Sequence, residues 1–216
     1  MSEKENKAES VAAFDFDGTI TTRDSLLPFL IHLEGYFGLI WKLLPHSFSL
    51  LGFLCGWLPR QEVKEKILAA FFDGKKIDEL RTLGAEYAKA KLLRLVRPEA
   101  IERIQWHIEQ GHRCILVSAS LDIYLAPWAE AMGFSDLLCS KLQEDEEGRV
   151  TGRLIGSNCW GPEKVCRIRE VLPDFENYKV YAYGDSRGDK EMLASADYPF
   201  FKEMPKPPRL CGKKND

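Results

Sequence analysis

The 216-residue chain predicts an α/β fold: a parallel sheet core with one long, all-helical insertion. Three observations carry that expectation. Short apolar runs at 11–14, 114–117 and 180–183 each end in a polar or acidic loop. Helical patterns separate the later runs, and strands joined through helices imply a parallel sheet with right-handed crossovers. Between 24 and about 111 there are helical patterns and no convincing strand.

The elements follow in order. Val11-Ala12-Ala13-Phe14 reads as a first strand leaving into Asp15 and then Gly18-Thr19. Helical patterns cover 26–33, an apolar hairpin, 61–72, 77–93 and 98–109. Pro98 suits a first helical position and Gly111 the residue past a helix end. A strand over 114–117 runs into Ser118, and a helix over 121–132 stops at Gly133. Runs at 137–142 and 150–155 flank the acidic turn EDEEGR and predict a hairpin. A helix at 162–172, a strand at 180–183, a short helix at 190–196 and an edge strand at 198–201 complete the chain. The core is therefore 11–23 with 98–201, the helical insertion 24–97, and 1–10 and 202–216 are loose tails.

Composition excludes several function classes. With 45% hydrophobic and 11% aromatic residues the chain can bury a core, which excludes disorder. A net charge of -3 supplies no basic field for a nucleic acid backbone. The six cysteines form no C-x-x-C pair, against a zinc site or disulfide framework, and free thiols fit a reducing compartment. Residues 1–10 are polar without an apolar leader core, so a cytoplasmic chain is expected. The four histidines are scattered and read as packed or exposed side chains.

The apolar hairpin stands apart. Between Glu34 and Arg60 the sole formal charge is Lys42. The stretch is long enough to cross a bilayer, but Pro45, His46, Ser47 and Ser49 interrupt it, so a helical hairpin is expected. All-round apolar helices are usually buried, and packing inside the insertion is the first expectation. The second is peripheral membrane contact through 36–58, where Tyr36, Phe37, Trp41, Phe48, Phe53 and Trp57 suit an interface.

The strand ends carry the chemistry. In Asp15-Phe16-Asp17-Gly18-Thr19, an extended backbone points both carboxylates the same way. Two such carboxylates repel unless a cation or a shared proton relieves them. Gly18 permits close approach to an anion, and Thr19 can tie the loop through its hydroxyl. Asp185 and Asp189, four apart after another strand, can meet one hard cation such as Mg²⁺. The Ser118 hydroxyl and the Ala119 amide can bind phosphate oxygens. Lys164 falls in the first turn of a helix, where a cation is unfavourable unless an anion compensates it.

The order D-x-D-G-T, strand-Ser, Lys, G-D-S-x-x-D, with gaps of 103, 46 and 21 residues, resembles the haloacid dehalogenase superfamily. The helical insertion after the first motif is similar to its phosphoserine phosphatase-like subfamily, and the resemblance spans about 11–201. It implies a Rossmann-like core with a helical cap and Mg²⁺-dependent phosphatase chemistry on a phosphorylated small molecule or lipid. It also implies roles: Asp15 as nucleophile that becomes aspartyl-phosphate, Asp17 as general acid/base, and Ser118, Ala119, Gly18 and Lys164 around the phosphate. Asp15, the Asp17 main-chain carbonyl and Asp185 would hold the metal, with Asp189 in support. Asp24, nine positions after the nucleophile, stands where the subfamily usually has a substrate-facing glutamate. That shorter acid, and the serines of Ser118-Ala119-Ser120 and Ser186, depart from the pattern for phosphoserine itself. A phosphotransferase, or a non-catalytic phosphate-binding or membrane-docking module, are the alternatives; oligomeric state is left open.

Overall fold

The computed structural model describes residues 9–54 and 56–207 of the chain. A five-stranded parallel sheet has the order β3-β2-β1-β6-β7. Its strands are β1 (Glu9–Phe14), β2 (Arg113–Leu121), β3 (Asp136–Ser140), β6 (Tyr178–Gly184) and β7 (Tyr198–Phe201). β1 lies in the middle, and Val11 to Phe14 are fully buried because both faces of a parallel sheet are covered by helices. On one side lie α7 (Pro162–Val171) and α8 (Lys190–Ala194), with Ile168 and Met192 packed on Val11, Ala13 and Val180. On the other lie α5 (Pro98–Glu109) and α6 (Asp122–Met132), the latter ending at Gly133 in a left-handed conformation (φ 80).

Residues between the first motif and α5 form α1 (Leu26–Leu43), α2 (Ser47–Leu54), α3 (Arg60–Phe72) and α4 (Ile77–Ala90). Thr21 bridges Val96 and the Arg97 amide donates to the Ile20 carbonyl, so this segment leaves and re-enters the sheet side at one place. Two glycines seal it to the rest. Gly84 of α4 sits against the backbone of Ile123, and Gly152 in the strand Val150–Leu154, at φ 73, sits against Ala69 of α3; a Cβ on either would collide.

The structure corrects several expectations. The expected 137–142 strand divides at Lys141. Its first part is β3, paired parallel with β2, and only β4 (Leu142–Glu144) forms an antiparallel pair with β5 (Val150–Leu154). The break follows from burial: Cys139 and Ser140 point into the core while Lys141 is exposed. Glu9 and Ser10, expected in a loose tail, extend β1 by pairing with Tyr178 and Lys179. Lys202 to Met204 are likewise not free, since the Lys202 amide donates to the Gly184 carbonyl and these residues line a pocket beside Asp185. Residues 1–8 and 208–216, Cys55, Cys211 and the Phe53 side chain lie outside the described residues.

The apolar stretch differs most. Leu44 and Ser47 keep right-handed helical backbone angles, so α2 continues from α1 through a short 3-10 turn instead of folding back on it. The turn-back comes later, at Gly56 (φ 75), and sets α2 against α3. Nor is the stretch buried core. Phe29 and Leu30 are interior, but beyond the kink at Gly35 (φ 69, ψ 174) Tyr36, Phe37, Ile40, Trp41, Leu44, Phe48, Leu51 and Trp57 are exposed.

Candidate active site

Parallel strands deliver their carboxyl ends to one edge of the sheet, and ligands collect there. β1 delivers Asp15 and Asp17, β2 delivers Ser118 to Ser120, and β6 delivers Asp185. Asp15, Asp17, Gly18, Asp24, Ser118, Ala119, Lys164 and Asp185 line a single cleft of about 840 Å³. Every sequence-predicted site residue except Asp189 therefore reaches the cleft. Asp189 sits just beneath it, fully buried.

Lys164 is the pivot of the polar cluster. Its Nζ donates to Asp15 Oδ1 and to Asp189 Oδ1, each at 2.6 Å, and it is almost wholly buried. Here are the anions that compensate a cation in the first turn of α7. The second Asp15 oxygen accepts from the Thr19 hydroxyl at 2.9 Å, the tie expected of that threonine. Burial pushes Asp15 up to about 6, against the pull of Lys164. Burial also opposes the Lys164 charge, yet the two carboxylates outweigh it and hold the ammonium above its ordinary value.

Asp189 serves the loop. Its Oδ2 accepts from the amides of Asp185 and Ser186, at 3.2 and 3.0 Å, and from the Ser186 hydroxyl at 2.8 Å. With Oδ1 on Lys164, both oxygens are engaged, so Asp189 orders the loop and lysine. Asp185 is more open. Burial, then repulsion from Asp189, raises its pKa. Carboxylate oxygens of Asp15, Asp185 and Asp189 lie within 4.8 Å of one another.

An all-oxygen donor set of this kind suits a hard cation. Gly18 adds a second indication of fit: at φ 84 it lies so close that any Cβ would collide with the Asp185 carboxylate, which brings the loop after β1 and Asp185 together. Within this set Asp15 and Asp185, which line the cleft, are the residues that could hold such a cation.

Asp17 has its own surroundings. Its Oδ1 accepts from the Ser25 amide at 2.8 Å, and its Oδ2 accepts the Ser120 hydroxyl. Burial, then the nearby Asp24 charge, pushes Asp17 up to about 7 even though both hydrogen bonds favour the charged form. The Ser25 hydroxyl donates to the Tyr124 oxygen at 3.2 Å and lies 3.3 Å from the Ser120 oxygen. Tyr87 donates to the Ser25 carbonyl at 2.9 Å.

Ser118 is placed differently from expectation. It belongs to β2 itself, ahead of a register shift between Ser118 and Leu121, and its oxygen accepts from the Ser120 amide at 3.0 Å. The shift lets Ala119 and Ser120 turn over the cleft. Asp24 is exposed at the cleft wall and accepts from the Leu27 amide at 3.0 Å, capping α1.

Three neighbours escaped the sequence reading. Lys64 of α3 donates to the Ala119 carbonyl and, at 2.7 Å, to Asn158 Oδ1, which also accepts from the Ser140 hydroxyl. Burial pulls the Lys64 ammonium down to about 8. Ser120, Lys64 and Asn158 belong to no shared spacing. The one available signal was Arg60 and Lys64, four apart on α3, presenting two cations on one helical face.

The pattern of a haloacid dehalogenase-like hydrolase matches residues 12–194. The chain belongs to that family. It is 35% identical over 202 residues to Protein CicA of Caulobacter vibrioides, covering 90% of this chain and 88% of that one. It is 28% identical to a probable phosphatase of Mycobacterium tuberculosis, covering 89% and 68%. Among solved structures, a Bordetella pertussis protein of unknown function superposes with TM-score 0.75 at 24% identity, over 87% and 86% of the chains. A phosphoserine phosphatase captured as a phospho-aspartyl intermediate analogue superposes at 0.55 and 19%, over 87% and 83%. The family fold, a parallel α/β core, is the one expected from the sequence.

Proposed function

We propose that this hydrolase is a Mg²⁺-dependent phosphomonoesterase acting through Asp15 on a small organic phosphate or a lipid phosphate. The observation that carries the reading is the Asp15 carboxylate, held between Lys164 and Thr19 at the end of the central strand and facing an open cleft. A carboxylate attacking a phosphate must overcome charge repulsion, and Lys164 supplies the compensating charge at 2.6 Å. Relatives named as phosphatases, including a histidinol-phosphatase and phosphoserine phosphatases, support the same chemistry.

Asp15 attacks phosphorus and forms an aspartyl-phosphate, dividing one difficult hydrolysis into two displacements. Asp17, raised towards 7, gives its proton to the leaving oxygen and then takes one from the attacking water. The Ser118 hydroxyl, the Ala119 amide, Gly18 and Lys164 hold the phosphate oxygens. Asp24 faces the leaving group from the wall, and residues 24–97 act as a cap over the core formed by 11–23 and 98–201. When bound, Mg²⁺ neutralises negative charge between phosphate and the nucleophile.

Phosphate release from a panel of soluble and micellar lipid phosphomonoesters, with and without Mg²⁺, tests the reading. Turnover that needs Mg²⁺ and disappears in Asp15→Asn is expected. Absence of turnover across the panel, in protein that still binds phosphate, overturns it. An added alcohol acceptor that collects most of the phosphoryl group would make the protein a transferase.

A further inference from the structure

We propose that the exposed face of α1 and α2 docks on the surface of an anionic lipid bilayer. Phe37 is 86% exposed, Phe48 85% and Trp57 81%, and Tyr36, Trp41, Ile40, Leu44 and Leu51 extend the same apolar surface. Scattered exposed apolar residues are ordinary, but a continuous aromatic stretch of this kind marks a surface with a partner.

No charge interrupts the face. Its one ionic residue, Lys42, is turned aside: the ammonium donates to Glu34 at 2.7 Å and lies 5.3 Å from the ring centroid of Phe71. Cations border the face instead. Arg23, Lys91 and Arg94 outnumber Asp24 around a groove of about 440 Å³ whose other walls include Leu27, Ile31 and Tyr36. Trp, Tyr and Phe flanked by Lys and Arg match the boundary between acyl chains and anionic headgroups.

The face lies on the bilayer and does not cross it. The helical stretch Leu26–Ser49 is long and apolar enough by composition to span. Its first part, however, carries Phe29 and Leu30 into the protein core, and Gly35 kinks the helix. What remains, 36–54, reaches about 28 Å at ~1.5 Å per residue, no longer than the ~30 Å hydrocarbon thickness, and it stays tied to the protein through buried Leu39 and the packing of α2 on α3. Gly56 and Arg60 of the adjoining turn line the cleft that holds Asp15, so a docked molecule has its cleft entrance beside the lipid headgroups.

Co-sedimentation with phosphatidylcholine vesicles, with and without about 30 mol % phosphatidylglycerol, tests the proposal. The full chain is expected to bind the anionic vesicles at least ~10-fold more strongly, with a blue shift of tryptophan emission on binding. Phe37→Ser/Phe48→Ser is expected to weaken binding ~10-fold or more while keeping the thermal melt and soluble-ester turnover of the parent. Asp15→Asn should bind vesicles like the parent, which separates this inference from the hydrolase reading. Failure to bind anionic vesicles, binding indifferent to the double substitution, or self-association that the double substitution abolishes would overturn it.

Discussion

The Ser120 hydroxyl donates to Asp17 Oδ2, so the second acid of the first motif is oriented from a neighbouring strand's loop. With the Ser25 amide on Oδ1, this bond aims the proposed proton donor. Ser120→Ala should therefore lower kcat by ~10-fold or more with a much smaller change in KM, because proton transfer depends on orientation more than binding does. Steady-state kinetics on one soluble ester checks the split, and Ser120→Thr should recover part of the loss.

Lys164 neutralises two buried carboxylates at once. Lys164→Met leaves Asp15 and Asp189 facing each other without a cation, a change that typically costs about 3–5 kcal/mol of stability. Urea unfolding should show this loss, and adding Asp189→Asn should restore part of it. Turnover should stay low in both proteins, since the anion's partner at the phosphate is missing in each.

Gly18 tests the metal reading. Gly18→Ala places a methyl against Asp185 at a backbone angle unfavourable to alanine, so the loop and Asp185 must separate. The Mg²⁺ concentration for half-maximal turnover should rise ~10-fold or more. Calorimetric titration of Mg²⁺ gives the same comparison without turnover, and an unchanged affinity would remove Asp185 from the proposed ligand set.

His107 makes stability depend on pH. It is fully buried between the Tyr183 oxygen at 2.8 Å and His112 at 2.7 Å. Burial, then Arg103 and His112, pull its pKa down to about 2. The unfolded chain, titrating near 6.5, takes up that proton first as pH falls. The contribution of neutral His107 is thus complete above ~6.5 and declines below it by up to ~1.4 kcal/mol per pH unit. Urea midpoints at pH 7 and pH 5 should differ more for the parent than for His107→Gln.

Much of this was legible because strand ends in a parallel sheet announce themselves. Asp15, Ser118 and Asp185 each follow a short apolar run, and the topology carries them to one edge. Lys164 was legible through a conflict, a cation at a helix start that needed an anion. Ser120, Lys64 and Asn158 were hidden because hydroxyl, amine and amide groups on three elements meet only after β2 shifts register. The hairpin reading held only for its outer part, because Leu142 resumes the apolar run directly after Ser140-Lys141 and nothing local shows that two sheets divide the run there. The apolar face was misjudged for a similar reason: hydropathy measures what a helix can bury and cannot say whether anything covers it.

The collisions awaiting any side chain at Gly84 and Gly152 have a further consequence. Helix α4 is pressed onto α6, and α3 onto β5, at backbone-to-backbone distance. Such seams resist sliding, because each can move only by giving up close packing along its whole length. These helices are set like masonry, so Arg60 at the start of α3 holds a fixed place, beside Asp24 and Gly56, on the wall of the cleft that Asp15 lines. A cleft with one fixed wall sorts molecules by shape and by the charge on that wall, so exchanging wall residues would change what is accepted and leave the chemistry at Asp15 as it was.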